Sequence, residues 1–260
     1  MRQFVLYARK AVTSPDFALD DLPGSGGRMD LVARCICNAL WLSHALRRDS
    51  CIHIVAYGRP NPPVVISFYG EALRDVSPDE RNIAAWIKNV LAAKRKNPGI
   101  AVRKISFQML IEELASKGAI FYVLHEKGRD ISTVELKEDS VFVLGDHLGL
   151  PRNEEKFVAR FAHEKISLGT SSYLASHCIT VLHYELDRKY QWYAGQEFQS
   201  YSSKNDVDDY VERTGLIIKS GSVSFKRIKE WCDQVYSDVI LTLKSDRPVE
   251  EDAAKLNGFI

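Results

Sequence analysis

Three glycine-bearing loops stand out for the chemistry they can support: 124–128 (LHEKG), 144–151 (LGDHLGLP) and 166–172 (ISLGTSS). Each adjoins an apolar run of strand type, the turns falling after Leu124, Leu144 and Leu168. None matches the GxGxxG dinucleotide fingerprint or a P-loop. What they offer is glycine and main-chain polar groups at strand ends. That suits an adenosine-like ligand held by backbone hydrogen bonds against apolar side chains; each loop alone also reads as an ordinary tight turn. Cys178 lies between Tyr173, Leu174 and Ile179, Val181 on a helical pattern. A free thiol there is a packing residue, although a thiolate can also attack a pyrimidine ring. His177 and His147 are of the type that serves as a base near neutral pH, or sits solvated. Asp79, Glu80 and Arg81 follow Ser77-Pro78. Acids there offset a helix dipole, while a cap requires neither Arg81 nor Asn82, so substrate contact is the competing role. Arg28 and Asp30 follow the glycine-rich turn 24–27 at a helix start, a ready anion site. Arg59 stands in the proline-bound loop YGRPNPP. No CxxC pair or His/Cys ladder with zinc spacing occurs, so no metal is implied.

The elements that must position these groups alternate between strand and helix. QFVLYA (3–8), CIHIVAY (51–57), VVISFYG (64–70), AIFYVLH (119–125), SVFVLGD (140–146) and EKISLG (164–169) read as strands. Helical patterns cover 28–48, 81–96, 107–118, a short polar stretch around 153–162, and 171–188. Apolar strands without clean alternation, separated by helices, predict an α/β fold with a mainly parallel sheet covered on both faces. Ligands in such sheets bind beyond the carboxyl ends of the strands, where the three loops lie.

Composition sets outer bounds. The chain has 260 residues, 45% hydrophobic and 27% charged, with a formal charge of +1. That is globular composition, neither demanding nor excluding nucleic acid. Five cysteines form no framework and suggest reduced thiols in a cytoplasmic setting. No stretch approaches the ~20 apolar residues of a membrane helix. Charge changes near residue 188: residues 1–188 carry 25 basic against 22 acidic groups, residues 189–260 ten against twelve. The segment KYQWYAGQEFQSYSSKNDVDD that follows Arg188 is polar and aromatic and reads as a linker or irregular surface segment. The expected division is therefore a domain at 1–188 and an extension of unknown role at 189–260. The run Lys94-Arg95-Lys96 with Arg103 and Lys104 reads as a solvated helix end or as a basic track for phosphates.

Taken in order, DLPGSGGRMDLVARC (21–35), YGRPNPP (57–63), SPDERN (77–82), VLGDHLGL (143–150) and ISLGTSSYLASHCIT (166–180) make residues 1–188 resemble the SPOUT methyltransferases. Within them they resemble the tRNA pseudouridine-54 N1-methyltransferase family, TrmY. The resemblance implies a C-terminal trefoil knot, S-adenosylmethionine bound in it, tRNA as substrate and a homodimer. It places the cofactor on Leu124, Gly145, the run Ile166, Ser167, Leu168, Gly169, Thr170 and Ser171, and Cys178. Leu124 and Leu168 would sandwich the adenine, and Gly145 would let the backbone approach the ribose. Two departures are plain. The stretch after ISL is GTSS where charged or proline-bearing residues are expected, which alters the methionine end of the pocket. The family pattern also does not account for the chain beyond 188.

Methyl transfer from a sulfonium to N1 of pseudouridine is an in-line displacement that needs alignment and exclusion of water. The N1–H is imide-like, so one carboxylate or a water suffices as base. Asp79 is the expected base, with Arg28 and Arg81 holding the nucleobase or its phosphate. The alternatives are a SPOUT enzyme acting on ribosomal RNA and a non-catalytic RNA-binding module that keeps the cofactor knot.

Overall fold

The computed structural model describes residues 1–197 except His44 and Glu138, together with Ile217–Lys219 and Thr242–Lys244. The chain divides into two compact units, Met1–Leu186 and Asp187–Ile260. In the second, Ile217–Lys219 (β8) and Thr242–Lys244 (β9) pair in parallel.

The first unit is built on a seven-stranded sheet. Its strands are β1 (Arg2–Ala8), β2 (Ser50–Ala56), β3 (Val64–Tyr69), β4 (Ile100–Arg103), β5 (Ile120–Asp130), β6 (Ser140–Gly145) and β7 (Ala162–Ser167), in the order β4-β3-β2-β1-β6-β5-β7. The pairs β1·β2, β1·β6, β5·β6 and β5·β7 are parallel. Only β3 runs against the rest, antiparallel to both β2 and β4. β4 was not legible in the sequence, because four residues at a sheet edge, only partly buried, carry too little pattern.

Both faces are covered, as continuous burial along β1, β2 and β6 requires. On one face Val5, Tyr7, Val55, Val141 and Val143 pack against Phe107, Leu110 and Ile111 of α3 (Phe107–Ser116) and Val158 of α4 (Arg152–Val158). The other face carries α1 (Met29–Leu40), α2 (Glu80–Leu91) and α5 (Ala175–Glu197). There Phe4 stacks on Phe142 and meets His183 of α5 edge-on. α5 is tied to α1 by the Asn38 amide, which donates to the Ser176 carbonyl and the Thr180 hydroxyl at 2.9 Å each.

Three helices differ at their ends from the sequence pattern. α1 stops at Leu40 instead of continuing to 48: Trp41 turns extended and bridges Leu46, which lets the Arg47 amide close on the Leu40 carbonyl at 2.6 Å. α2 stops at Leu91, with Ala93 in the left-handed region at φ 52°. α5 starts at Ala175 and runs past 188 to Glu197. The expected linker therefore begins as helix, since no proline interrupts 188–197. The rest of that expectation lies outside the described residues.

Candidate active site

Because β1, β2, β6 and β7 run the same way, their carboxyl ends place the loops 9–28, 57–63, 146–151 and 168–174 at one edge of the sheet, where the parallel β5 also makes its excursion at 125–128. The β1 loop closes tightly. Gly27 has φ 59°, and a Cβ there would lie 2.0 Å from the Lys10 carbonyl oxygen. Arg28, which follows it, is itself left-handed at φ 70° and begins α1. The guanidinium of Arg28 folds onto Asp30, Nε to Oδ1 at 3.0 Å and a second nitrogen to Oδ2 at 3.1 Å. Arg34 reaches the same Oδ2 at 2.8 Å and continues to Glu80 at 3.1 Å. Burial alone would push the Asp30 carboxyl up, but the hydrogen bonds from Arg28 and Arg34 outweigh it and hold it at about 2.

The expected catalytic residues do not all meet. Asp79 caps α2: Oδ1 accepts the Asn82 amide at 2.7 Å and Oδ2 the Ser77 hydroxyl at 2.8 Å. Its neighbour Pro78 lies beside Cys37, whose thiol contacts the Pro78 carbonyl at 3.6 Å. At 1.5 Å per residue, that is about 12 Å along α1 from Met29. Closer to Arg28, Arg34 links Asp30 to Glu80, the residue after Asp79. Arg81 is exposed one helical position beyond Glu80. Arg59 is exposed, and its carbonyl accepts the Thr13 amide at 3.1 Å. Of the basic run, Arg95 lies over the Trp86 ring at 4.6 Å, Arg103 pairs with Glu113 at 2.5 Å, and Lys104 binds the Asn61 carbonyl.

Of the expected cofactor residues, Leu124, Gly145 and the run 166–171 lie towards the carboxyl ends of β5, β6 and β7. Leu124 and Arg129 both lie opposite Ile166, so the intervening HEKG segment leaves the ladder as an excursion. Gly128 packs so closely that a Cβ would meet the Ile166 backbone at 2.5 Å. Ser167 is buried and its hydroxyl donates to the Gly169 carbonyl at 3.1 Å. Gly169 has φ 106° with nothing within 4 Å of an added Cβ, while Thr170 and Ser171 are exposed. Leu124 and Leu168 are half-buried apolar groups at this edge. Gly145 differs from expectation in what approaches it. A Cβ there would meet the Gly149 carbonyl carbon at 2.3 Å, so the close approach is made by the chain's own returning loop.

Cys178 is half-buried, its thiol 3.9 Å from the Tyr173 carbonyl, and burial pushes the thiol up. A protonated thiol is a wall, not a nucleophile. His177 is exposed; His147 Nδ1 lies 3.9 Å from Asp146 Oδ1.

Sequence reasoning missed two buried acids at this edge. Asp146 is 8% exposed and Glu154 4%. Both Glu154 oxygens accept from the Gln108 amide, at 2.7 and 2.6 Å, and burial pushes its carboxyl up. The available signal was their place just past the end of β6 and in the first turn of α4. No group of three or more His, Cys, Asp or Glu side chains able to hold a metal occurs among the described residues.

Residues 1–191 match the family model of SAM-dependent RNA methyltransferases. The tRNA (pseudouridine(54)-N(1))-methyltransferase of Methanocaldococcus jannaschii is 44% identical over 201 residues, which cover 73% of this chain and 98% of that protein. The chain belongs to this family. The Methanococcus aeolicus tRNA (pseudouridine(54)-N(1))-methyltransferase is likewise 44% identical, over 72% of this chain and 98% of that protein. Among solved structures, Archaeoglobus fulgidus Nep1 bound to S-adenosylhomocysteine aligns with a TM-score of 0.52 at 14% identity, over 72% of this chain and 96% of that one. That likeness is one of fold. This tRNA (pseudouridine(54)-N(1))-methyltransferase family member thus has its matched region in the first 191 residues, and no helix among its described residues is long and apolar enough to cross a membrane.

Proposed function

We propose that the chain transfers a methyl group from S-adenosylmethionine to N1 of pseudouridine 54 in the T-loop of tRNA. The observation that carries this reading is the 44% identity across 98% of a relative of that name. The donor set at the sheet edge fits the cofactor. Leu124 and Leu168 offer apolar walls for an adenine. Ile166, Ser167, Gly169, Thr170 and Ser171 offer main-chain groups, with open space over Gly169. Gly145 shapes the loop between them, and the protonated Cys178 thiol closes one side. When bound, the cofactor supplies an electrophilic methyl on a sulfonium. The protein's part is alignment and exclusion of water. Arg28, fixed by Asp30 through Nε and one terminal nitrogen, keeps its other terminal nitrogen for a phosphate or carbonyl oxygen. Arg81 contacts the RNA from the α2 side. Asp79 takes the N1 proton, directly or through a water, in this reading.

The same reading includes the C-terminal knot, a homodimer, a cytoplasmic setting and a catalytic module at 1–188 with 189–260 as an extension. The knot is supported by the resemblance of the ordered motifs to the SPOUT methyltransferases. For the homodimer the support is the apolar exposure around the start of α5, where Tyr173, Leu174 and Tyr184 are 49%, 57% and 60% exposed. Light scattering across micromolar concentrations should give twice 29.4 kDa; a monomer throughout would remove the dimer.

Uridine carries its sugar on N1, so the acceptor exists only after isomerisation. Two tRNA transcripts, with and without pseudouridine at position 54, are the test, with labelled S-adenosylmethionine. Only the pseudouridine transcript should be methylated. Equal methylation of both, or of neither, would reject the reading.

A further inference from the structure

Burying a carboxylate is costly unless donors surround it, and Asp146 has them from two different loops. It follows the last residue of β6, and its side chain is 3% exposed. Oδ2 accepts the backbone N–H of Arg9, the first residue after β1, at 2.7 Å. Oδ1 accepts the backbone N–H of Leu148, within its own loop, at 2.9 Å. The Asp146 amide donates to the Tyr7 carbonyl at 3.0 Å, and its carbonyl accepts the Gly149 amide at 2.9 Å. The Arg9 guanidinium crosses the same gap to the Leu148 carbonyl at 3.4 Å. Facing the carboxylate are the His147 ring at 3.9 Å and, on the adjoining loop, the Arg28 guanidinium.

The two loops joined in this way have different duties in the proposed reaction. The loop after β6 folds over Gly145 on the cofactor side, and the loop after β1 ends at Arg28 on the RNA side. We infer that Asp146 is a positioning residue that latches the cofactor loop to the substrate loop and so sets the spacing between methyl donor and acceptor. The inference rests on the methyltransferase reading above. Its physical basis is the steepness of transfer rates with alignment: a misplacement of about 1 Å can cost on the order of 10²-fold. A carboxylate suits the latch because both oxygens accept. An asparagine of the same shape must set its NH2 against one of the two backbone N–H groups, donor facing donor, and one loop is released.

The test is single-turnover and steady-state kinetics of Asp146→Asn on pseudouridine-54 tRNA, with the dissociation constants of both ligands measured separately. The latch predicts a kcat lower by about 10- to 100-fold, with either dissociation constant changed by less than about threefold. Leu114→Ala, a core truncation on α3, controls for lost stability and should lower the melting temperature while leaving kcat intact. Arg9→Ala, on an exposed side chain, should lower kcat a few-fold at saturating RNA and combine less than additively with Asp146→Asn. That second variant keeps the inference testable should Asp146→Asn fold poorly. An unchanged kcat in folded Asp146→Asn, or additive effects of the two changes, would overturn the latch. So would a loss confined to cofactor affinity. Failure of the unsubstituted protein to bind cofactor or methylate would instead overturn the reading on which the latch rests.

Discussion

The carboxyl edge of the sheet buries acids, and the amino edge buries arginines and a histidine. Asp30, Asp146 and Glu154 are buried at the carboxyl edge, whereas Arg2, Arg47 and His183 are buried at the amino edge. The difference follows from chain direction. Helices that succeed parallel strands start at the carboxyl edge, so α1 and α4 bring the positive ends of their dipoles there and favour acids in their first turns. Asp30 and Glu154 occupy those turns. At the amino edge the basic groups meet carbonyls and acids instead: His183 Nε2 donates to the Ala39 carbonyl at 3.0 Å, and Arg2 faces Asp49 at 3.5 Å. An edge that gathers anions held by N–H groups is one whose remaining donors can accept a negatively charged substrate. The other edge is occupied by structural contacts.

Acid titration should separate structural from site stability. His53, in the middle of β2, is 2% exposed, its ring hydrogen-bonded to the Ser67 hydroxyl at 2.8 Å, and burial pushes it down from 6.5 to about 4. The unfolded chain takes a proton at His53 before the folded one does. Stability from this group is therefore complete above pH 6.5 and is lost as pH falls towards 4, by about 3 kcal/mol. Denaturant melts of His53→Gln should lack this loss; a wild-type curve flat between 6.5 and 4 would contradict it.

Asp30 should titrate lower and cost somewhat less. Its carboxyl is depressed from 3.8 to about 2, so its contribution is complete above pH 3.8 and is lost as pH falls through 2. That amounts to about 2 kcal/mol. Asp30→Asn should lose this at neutral pH and also weaken RNA binding, since Arg28 is no longer held. Unchanged stability together with unchanged RNA affinity would show that the ion cluster is decorative.

The smallest effect is expected at Cys178. Because burial pushes its thiol up, Cys178→Ala removes a packing contact and no nucleophile. Cofactor affinity should fall less than about tenfold, under about 1.4 kcal/mol, with methyl transfer still measurable. Complete loss of transfer with binding intact would restore a covalent mechanism. Arg81→Ala should lower the salt dependence of RNA binding by about one unit, read from affinities at several salt concentrations.

Much of this was legible in the residues. The strands at 3–8, 51–57, 64–70 and 140–146 announce themselves by unbroken β-branched and aromatic runs, and they form as β1, β2, β3 and β6. The cofactor loops were legible as glycines at strand ends in a fixed order. A capped start with acids was legible in Ser77-Pro78-Asp79-Glu80, but which residue caps was not: the pattern points to Ser77, and the structure uses Asp79. Nothing local states which end of α2 faces which turn of α1. The hydrogen bonds of Asp146 and Glu154 were equally invisible, because their partners lie 137 and 46 residues away.

The sequence by itself determined the α/β alternation, the helix starts near residues 28 and 107, and the resemblance carried by the ordered motifs. These depend on patterns within about 15 residues, where periodicity and capping act. The sequence placed α2 two residues early, with Ser77 as cap and Pro78 in the first turn, where the structure caps the helix with Asp79. The tertiary structure alone decided that β3 runs against its neighbours and that Leu124 and Arg129 share Ile166. It also decided that the returning loop fills the space over Gly145 and that one carboxylate joins the β1 and β6 loops. Each of those depends on which distant segments become neighbours, and backbone polar groups leave no choice once they do: every buried N–H must find an acceptor, wherever in the chain it lies.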